Sequence, residues 1–263
     1  MRPIVKWAGG KTQLLDELLP LVPEFNAYYE VFFGGGALYF ALAPERAVIN
    51  DFNTQLINLY TVVRDNPEAL IRNLNRLSRQ HNEENYYRVR DLFNNSLKHN
   101  RASIASASYL LYLNKMGFNG LYRLNAEGLF NVPSAHRVNC NLYDRENLFE
   151  VSNQLRNTNI LNLDFEQACE TAQAGDFVFF DSPYYNTFDT YQAGGFTEAD
   201  HIRLFNLFER LTERGVRCLL TNSNEPFITN LYRDYDIKVV QVKRMINCDG
   251  TKRNGEEVII KNY

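Results

Sequence analysis

Four consecutive large apolar residues, Phe177-Val178-Phe179-Phe180, are bracketed by Gly175-Asp176 on one side and Asp181-Ser182-Pro183 on the other. A short apolar run without alternation reads as a β-strand covered on both faces. Strands of that kind belong to parallel sheets clad by helices, so this one segment restricts the chain to an α/β architecture. The run stops at a carboxylate, Asp181. An X-Pro bond stiffens the turn at Ser182-Pro183, and two rings follow, Tyr184 and Tyr185. Ligands of open α/β sheets bind just beyond the carboxyl ends of the strands. The same residues also suit a plain turn in which Asp181 and Ser182 bond nearby backbone groups. The rest of the chain decides between these readings.

Two more strand–turn units precede it. Tyr28-Tyr29-Glu30-Val31-Phe32-Phe33 runs into Gly34-Gly35-Gly36 and then a helical apolar pattern over Ala37–Leu42. Glycines there let the backbone approach a ligand and turn free N–H groups toward it. The spacing is not that of the dinucleotide fingerprint, which argues against NAD. The next short strand ends at Asp51, 17 residues after Gly34. That is close to the ~20 residues at which nucleotide-binding α/β units place an acid on a ribose. Asp51 equally suits the N-cap of the helix expected from Thr54. Near the start, Lys6-Trp7-Ala8-Gly9-Gly10-Lys11-Thr12 invites a phosphate-loop reading, but the first glycine of that motif would fall on Val5, and the match fails. What survives is a glycine turn at a helix N-terminus flanked by Lys6 and Lys11, a place for an anionic group.

From about residue 66 to 112 the β–α rhythm breaks. Pro67–Leu77 and Ala102–Leu113 carry apolar residues at three- and four-residue spacing with no strand alternation between them, which predicts an inserted helical subdomain. Residues 114–133 interleave aromatics, Asn, Gly and Arg. Leu121–Leu124 and Leu129–Val132 are expected to pair across an Asn125–Gly128 turn. A hairpin of this composition suits insertion into a DNA groove, where Arg forks onto guanine, Asn onto adenine, and a ring wedges between bases; a turn-rich hairpin with a solvated arginine is the plain alternative. The rhythm then resumes with strands at Asn159–Phe165 and Val216–Ser223. Between them Thr197-Glu198-Ala199-Asp200 forms a capping-box pattern. Two last strands, Ile237–Lys243 and Glu257–Asn262, enclose a polar loop with Gly250, Lys252, Arg253 and Gly255 that can reach a phosphate.

Charge decides what the insertion faces. The chain's net charge is −3, but residues 64–145 hold 12 Lys and Arg against 7 Asp and Glu. A basic segment inside an acidic body is the footprint of a phosphate-contacting subdomain. Cys140, Cys169, Cys218 and Cys248 lie far apart with no Cys-x-x-Cys and no His at ligand spacing, which argues against zinc and for a reducing cytosol. No apolar run approaches the ~18–20 residues of a membrane span, and the start lacks a signal-peptide core.

With these pieces placed, nearly the whole chain resembles the Dam family of DNA adenine-N6 methyltransferases. Lys6-Trp-Ala-Gly-Gly-Lys11 looks like the family's N-terminal motif. Glu30-Val-Phe-Phe-Gly-Gly-Gly36 is similar to its Glu-Pro-Phe-x-Gly-Gly-Gly cofactor turn, with Val31 where proline is usual. Asn119-Gly-Leu-Tyr-Arg-Leu-Asn125 followed by Phe130-Asn-Val-Pro133 resembles the DNA-recognition hairpin. Asp181-Ser-Pro-Tyr184 falls where the family has Asp-Pro-Pro-Tyr.

The resemblance implies a Rossmann-like class I methyltransferase sheet of seven strands. Residues 1–55 and 142–263 would form the catalytic domain, and 56–141 the inserted DNA-recognition subdomain, with its hairpin at about 118–133. It implies S-adenosylmethionine as methyl donor and double-stranded DNA as partner, with GATC or a related site as target. It implies no metal, a cytoplasmic monomer or weak dimer, and a bacterial or phage-infected cell. Cofactor contacts would come from Lys6, Trp7, Ala8, Gly9, Gly10 and Lys11, from Glu30, Phe32, Phe33, Gly34, Gly35 and Gly36, from Asp51 on the ribose, from Asp164 and Phe165 beside the adenine ring, and from Asp181. On DNA, Arg123 would read guanine, Phe118 and Asn119 would fill the space left in the helix, Leu121 and Pro133 would touch other bases, and Lys6 a flanking guanine. Asn125 and Asn131 complete the hairpin motif, and His136 stands where some members carry arginine. Asp181, Ser182, Pro183 and Tyr184 would be catalytic.

An exocyclic adenine nitrogen is a poor nucleophile buried in the duplex, so the base has to leave the stack. It then stacks on Tyr184 and donates to the Asp181 carboxylate and the residue-182 carbonyl, which favour the positive charge that develops. Serine supplies that carbonyl as proline does. Losing proline's restriction costs ~1 kcal/mol or less, which predicts a slower or more tolerant enzyme. Three readings remain open on sequence alone. One is an active adenine methyltransferase. Another is a DNA-binding protein of this fold with catalysis weakened by Ser182. The last is a methyltransferase for another planar amino or amide group, against which the hairpin and the basic segment count. A shifted register, Ser182-Pro183-Tyr184-Tyr185, would put serine in the carboxylate's place and Tyr185 on the base.

Overall fold

A computed structural model describes residues 1–138, 141–186, 195–243 and 254–263. Its sheet has seven strands in the order β3-β2-β1-β4-β5-β7-β6. These are β1 Tyr28–Glu30, β2 Ala47–Asn50, β3 Thr158–Leu161, β4 Phe177–Phe180, β5 Arg217–Ser223, β6 Asp236–Lys243 and β7 Asn254–Lys261. The first five run parallel, and β7 lies antiparallel between β5 and β6. This is the seven-stranded methyltransferase sheet the sequence predicts.

Strand β4 explains why its sequence reads as it does. All four of its residues are fully buried. Phe177 and Phe179 join one hydrophobic cluster, and Val178 and Phe180 join the cluster on the other side. With both faces covered, no position on this strand can be polar.

Among the described residues, ten α-helices flank and connect the strands: α1 Leu15–Leu18, α2 Ala37–Leu42, α3 Thr54–Asp65, α4 Pro67–Arg79, α5 Glu83–Lys98, α6 Ile104–Met116, α7 Arg145–Leu155, α8 Phe165–Ala168, α9 Glu198–Glu213 and α10 Pro226–Leu231. Helices α3 to α6 all lie between β2 and β3. Helix α6 starts at a Ser103–Ser106 capping box and buries Leu110, Leu111, Tyr112 and Leu113, an apolar circumference that only a central helix can use. It packs against α3, α4 and α5. The Thr197–Asp200 capping box forms as expected and starts α9.

Several boundaries differ from the sequence reading. Strand β1 ends at Glu30, because Val31–Phe33 already turn into the glycine loop. The hairpin carries only two isolated bridges, Gly117–Ser134 and Leu124–Phe130. Phe118–Gly120, just before the first arm, coils into a 3₁₀ turn with Asn119 left-handed at φ 55°, while the expected arms Leu121–Leu124 and Leu129–Val132 meet at the Leu124–Phe130 bridge. Gly255 sits in β7 opposite Val242 rather than in the preceding loop. Gly250, Lys252 and Arg253 of that loop lie outside the described residues, as do Cys140 and Cys248, whereas Cys169 and Cys218 are buried free thiols. Among the described residues no helix is long and apolar enough to cross a membrane. Nor does any group of three His, Cys, Asp or Glu there gather to hold a metal.

Candidate active site

Strand order reverses at β1, with β2 on one side and β4 on the other, and a crevice opens at such a switch point. A cavity of about 1210 Å³ fills it. Its wall includes Glu30 from the end of β1, Asp51 beyond β2 and Asp181–Tyr184 beyond β4, together with Trp7–Lys11 and the glycine turn Gly34–Gly36. Every residue expected at the cofactor or the reacting base lies on this wall except Lys6. Lys6 packs instead against Gly120 of the hairpin, where an added Cβ would come within 2.7 Å of it.

The glycine turn is shaped by two constraints. Gly34 and Gly36 both have positive φ. A Cβ on Gly36 would lie 2.4 Å from the Phe33 ring, and one on Gly34 would lie 2.8 Å from Trp7. Asp51 clamps the turn: its Oδ2 accepts the Gly34 N–H at 2.9 Å and its Oδ1 accepts the Asn53 N–H at 2.9 Å. Burial raises the Asp51 carboxyl pKa while these two donors pull it down. The helix cap itself is Asn53, whose side chain accepts from Gln55 and Leu56. The N-cap role considered for Asp51 is therefore wrong, because the cap lies two residues further on.

At the β4 end, the Asp181 carboxylate is paired with the Lys11 ammonium at 2.5 Å and accepts from Thr221 Oγ1 at 2.9 Å. Burial raises its pKa, and Lys11 opposes the rise. The same ammonium donates to the Gly9 carbonyl at 2.7 Å and sits 4.6 Å above the centre of the Tyr184 ring. Carboxylate and ring are thus held against one cation. Tyr184 donates to Glu257 Oε2 at 2.6 Å. Tyr185 turns away: its hydroxyl donates to Glu198 and its ring stacks on Phe227 at 4.6 Å. This geometry favours the register with Asp181 and Tyr184 at the cavity. Glu30, 3% exposed, accepts from the Tyr28 hydroxyl at 2.8 Å. Burial pushes its pKa up to about 8 despite that bond, so it carries a proton at neutral pH.

Ser182 is buried, and its Oγ accepts from Asn222 Nδ2 at 3.3 Å. Asn222 Oδ1 in turn accepts the N–H groups of Tyr185 and Ser223. The turn that proline would stiffen is held here by a side chain from β5. Ser182→Pro would leave a buried amide donor without its acceptor, a cost of about 1–3 kcal/mol that exceeds the gain in rigidity. The expected result is a melting temperature a few degrees lower and no faster methyl transfer in a single-turnover assay. A faster, equally stable variant would refute this view of the turn.

Of the hairpin, Leu121–Leu124 reach the cavity wall, and the other residues expected to read DNA fall outside it. Phe118, Asn119, Arg123, Asn125, Pro133 and His136 are exposed, and Leu121 and Asn131 half-buried. Arg123 Nε donates to Asn131 Oδ1 at 2.7 Å, and Asn125 Oδ1 accepts from Glu127 and Leu129 within the turn. The sequence reading missed what holds this hairpin. Asn94 bonds both backbone groups of Phe130, Tyr86 donates to the Val132 carbonyl, and Asn114 donates to the Lys6 and Gly120 carbonyls while accepting the Lys6 N–H. Trp7 stacks on Tyr122 at 5.2 Å. Also missed were Glu257, Thr221, Asn222, Phe196 and Arg203 at the site, all of them supplied by the second half of the chain.

Sheet order, glycine turn and acid–ring pair together define a class I methyltransferase. The sequence profile of the D12 class N6 adenine-specific DNA methyltransferases matches residues 7–246. A type II methyltransferase of Lactococcus lactis subsp. cremoris is 39% identical, the alignment covering 100% of this chain and 96% of that protein. A type II methyltransferase of Methanocaldococcus jannaschii is 38% identical over 100% and 99%, and the DNA adenine methylase of Escherichia coli K12 is 28% identical over 100% and 95%. The chain belongs to the D12 class and is an adenine-specific DNA methyltransferase.

Proposed function

We propose that the chain transfers a methyl group from S-adenosylmethionine to N6 of an adenine turned out of duplex DNA, within GATC or a closely related site. The observation that carries this reading is the placement of Asp181 and Tyr184 side by side on the wall of one large cavity. Asp181 and the Ser182 carbonyl accept the target amine, and Tyr184 stacks the base. The acceptors favour the charge that develops on nitrogen. Residues 1–55 and 142–263 make up the catalytic domain, and 56–141 the DNA-recognition subdomain acting in the cytoplasm of a bacterial or phage-infected cell.

The residues present suit the cofactor. Asp181, and Glu30 once it gives up its proton, match a cationic ligand, and Phe32, Phe165 and Phe196 form a ring cluster with centroids 5.5–6.0 Å apart that suits a planar base. Bound there, S-adenosylmethionine supplies the electrophilic methyl. Gly34–Gly36, Asp51, Asp164 and Phe165 hold it, and Asp51 keeps lone pairs for the ribose beyond the two already used. Exposed Phe118 and Asn119 enter the vacated helix position, Arg123 reads guanine, and Leu121, Asn125, Asn131, Pro133, His136 and Lys6 complete the reading surface.

The Asn222–Ser182 bond supports an active enzyme over a DNA-binding relic, because it orders the turn that serine would otherwise loosen. The deciding assay is incorporation of labelled methyl into a GATC duplex, against a duplex with that adenine replaced. Tight specific binding with no incorporation would overturn the proposal. A separate readout tests extrusion: 2-aminopurine at the target position should brighten several-fold on binding, because unstacking relieves quenching. Unchanged fluorescence with intact binding would sink that step.

A further inference from the structure

Helix α4 has two unlike faces. Leu70, Ile71, Leu74 and Leu77 are buried, while Arg72, Arg76 and Arg79 lie exposed at positions i, i+4 and i+7 along one stripe. These arginines, with Asn75 and Gln80, line a cavity of about 390 Å³ separate from the catalytic one. Among the described residues none of the three guanidiniums has an ion-pair partner. The acids nearest in sequence are committed elsewhere, Asp65 to Arg64 and Glu68 to Arg145. An amphipathic helix with a solvated outer face usually interleaves signs. This face carries one acid, Glu68 in the first turn, which is paired with Arg145, and beyond it only arginines.

The stripe also leads somewhere. His81, just beyond α4, donates from Nε2 to the Arg137 carbonyl at 2.8 Å, and its Nδ1 therefore accepts from the Tyr112 hydroxyl at 2.6 Å. The end of α4 is thereby pinned to the segment that leaves the hairpin foot, where Gly117 and Ser134 bridge. Arg137 itself is exposed.

We infer that the Arg72–Arg76–Arg79 face of α4 is a docking rail for the phosphodiester backbone of duplex DNA flanking the target site. At ~1.5 Å rise per residue the three guanidiniums span ~10 Å of helix axis. That length matches about three phosphates at ~3.4 Å of axial rise per strand. The assignment rests on the reading that the hairpin engages the target, since the hairpin foot is what brings flanking DNA past α4. It adds a contact outside the hairpin and without base specificity.

The test replaces all three residues, R72Q, R76Q and R79Q together, and measures the dependence of DNA affinity on salt. Two duplexes are compared, one just covering the target and one about three helical turns long. The rail predicts that the variant's slope on the long duplex falls by about two to three units, near 0.9 per lost phosphate contact, with little change on the short one. The Arg→Lys triple keeps the slope. Melting temperature and cofactor binding, measured on the same proteins, report the fold. An unchanged slope on both duplexes overturns the inference, and equal loss on both overturns the flanking placement. Saturable binding of inorganic phosphate at this face with no change in the DNA slope would assign it to a small anion instead. Because the slope is read on binding alone, it stands or falls separately from methyl transfer and from GATC preference.

Discussion

Asp181→Asn is expected to lower the single-turnover methyl-transfer rate by about 10²–10³-fold, the usual cost of removing one preorganised electrostatic contact to a transition state, while specific DNA binding persists. The substitution keeps the shape and one acceptor oxygen but loses the charge that favours developing positive charge on nitrogen. It also acts on the fold. Lys11 is 5% exposed and paired to Asp181 at 2.5 Å, and removing one member of a buried pair strands the other at a cost of about 3–5 kcal/mol. Asp181→Asn should therefore melt well below wild type, whereas Lys11→Met with Asp181→Asn should recover most of that stability and none of the activity. If the double variant regained activity, Asp181 would be structural. Lys11→Met alone reports on charge. Burial raises the Asp181 pKa and Lys11 holds it down, so without the ammonium the acid limb of kcat/KM moves to higher pH. An unmoved limb would mean that Lys11 does not keep Asp181 ionised.

What the sequence disclosed follows the range of the interactions involved. Strand β4 was legible because burial on both faces forces an unbroken apolar run, and the glycine turn because a left-handed backbone beside Trp7 and Phe33 leaves no room for a Cβ. Asp51 was legible as important but ambiguous in role: a cap and a clamp leave the same local pattern, and only the Gly34 N–H bond separates them. The hairpin arms were legible only in part: they pair near the turn at Leu124–Phe130 but form no continuous ladder, and nothing local announces that Asn119, just before the first arm, adopts φ 55°. Least legible were contacts across the sheet. Tyr184 and Glu257 lie 73 residues apart, joined only because β7 inserts beside β5. The ion pair of Lys11 and Asp181 likewise joins opposite halves of the chain. Ser182 looked like a defect in its motif until Asn222 appeared beside it.

Glu30 supplies the second large effect. Its pKa, about 8 in the folded protein, is raised from 4.5 by burial. Between those two values the folded state keeps a proton that the unfolded chain has released. Stability therefore falls as pH rises through this window, by a few kcal/mol in all, and levels off above about 8. Glu30→Gln, which mimics the protonated form, should flatten the fall. The variant should match wild type near pH 5 and exceed it near pH 8.5 in denaturant melts. The same proton links to ligand binding. A cation placed near Glu30 lowers its pKa, so at pH 7 cofactor binding should release up to about one proton more from wild type than from Glu30→Gln. Calorimetry in two buffers of different ionisation enthalpy measures that difference, and comparison with the variant cancels the proton carried by the cofactor's own amine. If Glu30→Gln left the pH dependence of stability as steep as wild type, Glu30 would already be ionised in the folded protein. If only the proton release were the same in both proteins, Glu30 would be buried and protonated but would not face the cofactor's charge, and the cationic end of the cofactor would have to lie against Asp181 instead.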